Sequence, residues 1–183
     1  MLPLKDLLNS ICEAFGKRNQ KKLRKINDQI LKQAVIEFNK RWYDLAVVSY
    51  VLAKITSKSR YMRKEMDKFM VPIEKQLALI CKVDGSASDE EWAKMFADLE
   101  KKIKHLEADD PRFITGLMTK GKLKVASILY AQGISLGLAA EMTNMSKQDI
   151  LDYAGKTMMF DRMKDEQSIL DRLKNARKLI PSG

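Results

Sequence analysis

Three observations predict an all-α protein. Only 8 glycines and 4 prolines occur among 183 residues, which leaves little material for turns and favours long helices. Apolar residues recur at helical spacing along most of the chain. The apolar content of 45% is normal for a globular protein with its own core. We therefore expect two helical parts, residues 1–107 and residues 112–183.

The first three helices follow from the spacing of apolar residues. From Pro3 to Phe15 such residues recur at i, i+3, i+4 and i+7, and the following glycine supplies a stop. A second helix is expected from about Arg18 to Phe38. The third, from Trp42 to Ile55, has few polar positions. A helix that is apolar nearly all round belongs in the middle of a bundle.

Two more helices complete the N-terminal bundle. The pattern from Lys58 to Lys82 predicts one helix, which Pro72 should kink or split because proline lacks a backbone N–H. Ser88 and Glu91 then have the spacing of a capping box, which starts a helix that runs to about Leu106. Its expected inward-facing residues are Trp92, Phe96, Leu99, Ile103 and Leu106.

The segment from Glu107 to Pro111 interrupts the helical pattern and marks the expected domain boundary. After it, Phe113 to Ala131 predicts one or two helices, with an interruption near Gly121. A last helix is expected over Met163 to Ile180, either docked on the N-terminal bundle or paired with its symmetry mate.

Residues 135–155 have the proportions of a helix-turn-helix. Ala140 is small enough for the first helix to approach the second closely. Asn144 falls at the turn, where a left-handed backbone conformation is needed and asparagine tolerates it. Ser146 is placed to cap the second helix. Lys147 and Gln148 follow in its first turn, where recognition helices usually contact base edges. The fold predicted is therefore an N-terminal helical bundle followed by a helix-turn-helix domain.

The run GISLGLAAEMTNMSKQDILDYAG, residues 133–155, is similar to the helix-turn-helix of small prokaryotic antitoxins or regulators that are often paired with PIN-domain toxins. The matching positions are Gly133, Ile134, Ser135, Leu136, Gly137, Ala139, Ala140, Glu141, Ser146 and Tyr153. The resemblance implies binding to double-stranded DNA and a toxin-like protein partner. Members of that family commonly carry Arg-Trp or Gln-Trp after the capping serine, and this chain has Lys147-Gln148, so no base preference transfers.

The net charge of +10 is distributed unevenly, with +10 over residues 1–83, −5 over 84–111 and +5 over 112–183. The densest basic patch lies on the expected second helix, where five cations span about 140° of one face at 100° per residue. They are Lys17, Arg18, Lys21, Lys22 and Lys25. A solvated face and non-specific contact with nucleic-acid phosphates both fit this pattern.

Cys12 and Cys81 occupy apolar helical positions without CxxC spacing. They predict reduced, buried thiols and a cytoplasmic location, with a single disulfide as the less favoured alternative. Neither a signal peptide nor a run long enough for a membrane span is expected. One histidine and the absence of nucleotide-binding or hydrolase motifs assign no catalytic residue, no metal site and no cofactor.

These observations favour a DNA-binding transcriptional regulator or antitoxin-like protein that is not an enzyme. Ser146, Lys147 and Gln148 are the expected groove contacts of the second helix of the motif. Phosphate contacts are assigned to Lys120, Lys122, Lys124 and Lys156. A homodimer is expected, because one short recognition helix gives too little base contact. Two alternatives remain open: a helical protein-interaction adaptor that keeps the motif for packing, and an RNA-binding protein that uses the basic second helix.

Overall fold

We describe a computed structural model of the chain over residues 3–37, 39–83, 87–108 and 116–162. Within these ranges the protein is all-helical and has no β-strand, as the sequence predicts. The α-helices, numbered in chain order, are α1 (Leu4–Gly16), α2 (Gln20–Ile36), α3 (Lys40–Thr56), α4 (Asp67–Lys82), α5 (Asp89–Ala108), α6 (Leu117–Ala131), α7 (Leu136–Thr143), α8 (Lys147–Lys156) and α9 (Met159–Arg162).

The centre of the fold is α3. It packs against α1, α2, α6 and α7, and most of its side chains are buried. Between α2 and α3 the buried Asn27 is satisfied, since its Nδ2 donates to the Ala46 carbonyl at 2.7 Å and to Ser49 Oγ at 2.9 Å. The prediction of a central helix that is apolar nearly all round is confirmed.

The link between α3 and α4 differs from the sequence prediction. Ser59–Met62 and Lys64–Met66 form short 3₁₀ turns, so the helix expected from Lys58 begins only at Asp67. Pro72 lies inside α4 and does not split it. Because Pro72 lies only one and a half turns from the start of α4, its missing N–H removes a single bond near the helix end.

The N-terminal turn of α5 forms as its sequence predicts. Glu91 N donates to Ser88 Oγ at 3.2 Å, and Ser88 N donates to Glu91 Oε2 at 2.9 Å. The five inward-facing residues predicted for this helix are all buried. Local capping and apolar spacing therefore suffice to define α5.

A close approach of α6 to α3 joins the two predicted parts of the chain. A Cβ added at the buried Gly121 would lie 2.7 Å from Val51 Cγ2 and 3.3 Å from Val47 Cγ1. The interruption expected near Gly121 is wrong, because α6 is continuous and the glycine permits contact instead of ending the helix. One apolar cluster contains residues from both 1–107 and 112–183, while the division into two domains stays a prediction.

A disulfide joins Cys12 of α1 to Cys81 of α4. The expectation of two reduced thiols in the core is wrong, because α1 packs against α4 and brings the two half-buried cysteines together. The spacing of residues within one helix does not predict this contact between α1 and α4. The disulfide also removes the argument from reduced thiols for a cytoplasmic location. The last predicted helix, Met163 to Ile180, lies outside the described residues.

Candidate nucleic-acid interface

Residues 135–155, for which the sequence predicts a helix-turn-helix, contain the two helices α7 and α8, and both pack on α6. Ser135 caps α7 through its Oγ, which accepts from Leu138 N at 3.2 Å. Asn144 ends α7 in the left-handed conformation, with φ 52° and ψ 47°, and Met145 N donates to the Ala140 carbonyl at 3.1 Å. Ser146 caps α8 by accepting from Asp149 N at 3.0 Å. The turn at Asn144 and the cap at Ser146 therefore have the predicted local geometry.

The two alanines in the middle of α7 differ in burial. Ala139, with no exposed area, is the buried alanine of α7, whereas Ala140 is only partly buried. On α8 the buried residues are Ile150 and Ala154, and Tyr153 is half-buried. Ala139 is therefore the alanine of α7 that belongs to the buried core, while the close approach expected at Ala140 stays a prediction.

The first turn of α8 is exposed. Lys147 and Gln148 are both exposed, and the Lys147 side chain runs beside Gly137 of α7. Gln148 Nε2 donates to Asp152 Oδ1 at 2.8 Å. Ser146 Oγ donates to Asp149 Oδ2 at 2.7 Å. Gln148 and Ser146 therefore both have carboxylate partners in the first two turns of α8.

The exposed surface of α8 has no excess of positive charge. Lys147 and Lys156 are balanced by Asp149 and Asp152, all four of which are exposed. Carboxylates repel phosphates, so the exposed charges of α8 give no net electrostatic attraction for a polyanion.

The four lysines predicted to contact phosphates do not form one group. Lys120 and Lys156 are exposed. Lys122 projects from another side of α6 and pairs with Glu100 of α5 at 3.1 Å. Burial raises the pKa of the Glu100 carboxyl, but Lys104 and Lys122 outweigh that effect and leave its pKa below the ordinary value. Lys122 is therefore committed to the contact between α5 and α6.

Lys124 lies on the same side of α6 as Lys120 but lines a cleft, and its Nζ is 3.7 Å from Met159 Sδ. Arg24 of α2 and Lys54 of α3 line the same cleft, and the sequence singled out neither. Their convergence depends on how α2, α3 and α6 pack. The spacing of residues within one helix does not predict this convergence.

Three of the five cations of the N-terminal basic patch pair with carboxylates of α1 and α4, so the patch is partly neutralised. Lys17 and Lys22 pair with Glu13 of α1 at 2.7 and 2.6 Å. Hydrogen bonds from the two ammonium groups and their charges lower the pKa of the Glu13 carboxyl to about 2. Arg18 pairs with Glu74 of α4.

Neither Lys17 nor Arg18 belongs to α2, which begins at Gln20. The expected continuous face of five cations is therefore wrong, and Lys21 and Lys25 are its exposed remainder.

The described residues contain no helix that is both long and apolar enough to cross a bilayer. Within the same ranges, no three His, Cys, Asp or Glu side chains converge as metal ligands would. No protein-family model matches the chain, and no curated protein or solved structure is detectably similar to it.

Proposed function

We propose that the protein binds double-stranded DNA and that α8 enters the major groove. The observation that carries this proposal is the pair of capped helices joined at a left-handed Asn144, which leaves the first turn of α8 exposed. A helix of ten residues is about 15 Å long, so it spans part of one major groove.

Specific contacts in this proposal come from Lys147 and Gln148. Lysine donates to the acceptors of guanine, and glutamine forms paired hydrogen bonds with adenine. Gln148 must first release Asp152, which leaves that carboxylate free to repel a nearby phosphate. We therefore expect Asp152→Asn to increase affinity for DNA of any sequence.

Phosphate contacts in this proposal come from Lys120 and Lys156, which flank the motif and are exposed. Lys122 and Lys124 are left out, because one pairs with Glu100 and the other lines the cleft. Two phosphate contacts per chain give weak binding, which supports the expectation of a dimer that joins two half-sites. The N-terminal helices would provide the dimer contact or hold the toxin-like partner that the family resemblance implies.

The test is a fluorescence-anisotropy titration of the full chain with the duplex upstream of its own gene and with a random duplex, each at two salt concentrations. Direct readout predicts tighter binding to the upstream duplex, and Lys147→Ala together with Gln148→Ala should abolish that preference. Lys120→Ala and Lys156→Ala should each weaken both duplexes and reduce the slope of log affinity against log salt by about 1.

Lys101→Ala is the matched control, because Lys101 is an exposed lysine on α5, away from the motif. It should leave the preference and the salt slope unchanged. The absence of binding to either duplex at low salt, with the chain folded, would refute the proposal.

A second candidate is a protein-interaction adaptor, favoured by exposed apolar side chains at the end of the motif. Leu151, Met158 and Phe160 are 39%, 64% and 52% exposed. A partner bound there would be lost on Phe160→Ser and retained on Lys147→Ala, the reverse of the result expected for DNA.

A further inference from the structure

The strongest unassigned feature is a cleft of about 560 Å³ enclosed by α2, α3, α6, α8 and α9. Cavities of this size hold small organic ligands. Three buried apolar residues of its lining, Leu31, Ile128 and Met159, are here called the floor, and its other lining residues include cations and phenols. A ligand that fits both surfaces has a flat apolar part and an anionic part.

Three cations from three different helices meet at this cleft, namely Arg24, Lys54 and Lys124. The only carboxylate among the described lining residues is that of Asp28. Burial raises the pKa of Asp28, against the opposing effects of Lys32, Arg24 and Lys124. The cations therefore exceed the carboxylate in number even when Asp28 is ionised, and an anionic ligand would relieve their mutual repulsion.

Two tyrosines complete the polar wall. Burial and the neighbouring Tyr153 hydroxyl raise the pKa of Tyr50 to about 12, so Tyr50 stays protonated at neutral pH. Lys54 Nζ lies 5.6 Å from the centre of the Tyr50 ring. The Tyr50 hydroxyl hydrogen-bonds to Tyr153, so Lys54, which lines the same cleft, is the group here that can donate a hydrogen bond to a phosphate oxygen.

We propose that this cleft binds a free nucleotide, with its phosphates against Arg24, Lys54 and Lys124 and its base on the apolar floor. A nucleoside diphosphate suits the site, since its charge approaches the number of cations. Arg24 can hold a phosphate through two parallel N–H bonds, and the lysines supply point charges. The proposal does not depend on DNA binding and is tested without DNA.

The test is isothermal titration calorimetry of the full chain with ADP, with inorganic pyrophosphate and with a short single-stranded oligonucleotide. We expect one ADP per chain, and weaker binding of pyrophosphate because it lacks a base. Arg24→Gln combined with Lys54→Gln should weaken ADP binding at least about tenfold.

The matched control is Lys21→Gln combined with Lys25→Gln. It also removes two positive charges, but both are on α2 and outside the cleft. It should leave ADP affinity within about twofold of the wild type, since exposed charges beyond the cleft are screened by salt. Unfolding curves of both double variants identify any loss of fold. Ile128→Phe keeps every cation and fills the floor, so it should weaken ADP binding more than pyrophosphate binding.

Three outcomes would overturn the proposal. One is the absence of ADP binding at millimolar concentration. Another is equal affinity for ADP and pyrophosphate, which would make the cleft a phosphate site without a base subsite. The third is binding of the oligonucleotide alone, which would assign the cleft to a nucleic-acid strand.

Discussion

Gly121→Ala tests the contact between α6 and α3 on which the position of the helix-turn-helix depends. In an open helix, alanine is more stable than glycine by about 1 kcal/mol. At Gly121 the added Cβ would lie 2.7 Å from Val51 Cγ2, whereas ordinary carbon contacts are about 3.5–4.0 Å. Moving the two helices apart until these carbon atoms reach an ordinary distance should destabilise the protein by about 1–3 kcal/mol, which is typical of an overpacked core.

Gly155→Ala is the matched control, because Gly155 is helical and nothing lies within 4 Å of the position that a Cβ there would take. It should stabilise the protein by up to about 1 kcal/mol. We therefore expect Gly121→Ala to be about 1–3 kcal/mol less stable than Gly155→Ala. Urea unfolding followed by circular dichroism measures both, and unchanged m-values would show that the unfolded states are comparable.

A double-mutant cycle with Val51→Ala identifies the clash itself. Removing the Val51 methyl groups creates the space that the added methyl group at position 121 needs, so the double variant should be less destabilised than the sum of the single variants by about 1 kcal/mol or more. Equal stabilities of the Gly121 and Gly155 variants, with no coupling to Val51, would show that α6 does not approach α3 at this point.

Three further predictions concern other contacts. Reducing the Cys12–Cys81 disulfide, which joins residues 69 positions apart, should destabilise the protein by about 4 kcal/mol on the chain-entropy estimate, measured by urea unfolding with and without reductant; an unchanged midpoint would contradict it. The Glu13 carboxyl has a pKa of about 2 in the folded protein against an ordinary 4.5, so its stabilising effect is present above pH 4.5 and is lost as the pH falls towards 2. The stability difference between wild type and Glu13→Gln should shrink over that interval, and a difference independent of pH would refute it. Asn144→Gly should leave stability nearly unchanged while Asn144→Ala costs about 1 kcal/mol, since alanine tolerates the left-handed conformation poorly; thermal unfolding of both variants distinguishes them, and equal costs would exclude this reason.

Contacts within a few residues of one another were predictable from the sequence. The capping pair Ser88 and Glu91, the left-handed Asn144 and the cap Ser146 all formed as expected. Each depends on backbone groups one helical turn away, so residue type and spacing are sufficient to define it.

Contacts between distant helices were not predictable in the same way. The basic patch was expected to be continuous because a helical projection shows Lys22 but not the Glu13 that packs beside it from α1. Lys122 was expected to face phosphate, and instead it pairs with Glu100 of α5. A helical projection predicts the side of a helix on which a charged residue lies. It does not predict which neighbouring helix packs against that side.

The packing of α3 against α6 means that α6, α7 and α8 cannot be isolated without exposing a buried surface. Gly121 of α6 lies against α3, and a fragment limited to the described residues 116–162 would expose that face of α6 to water. Such a fragment would need a replacement for Val47 and Val51, either from a second copy or from a designed helix. The unit of α6, α7 and α8 is thus not a detachable module, and a graft into another protein would have to carry α3 with it.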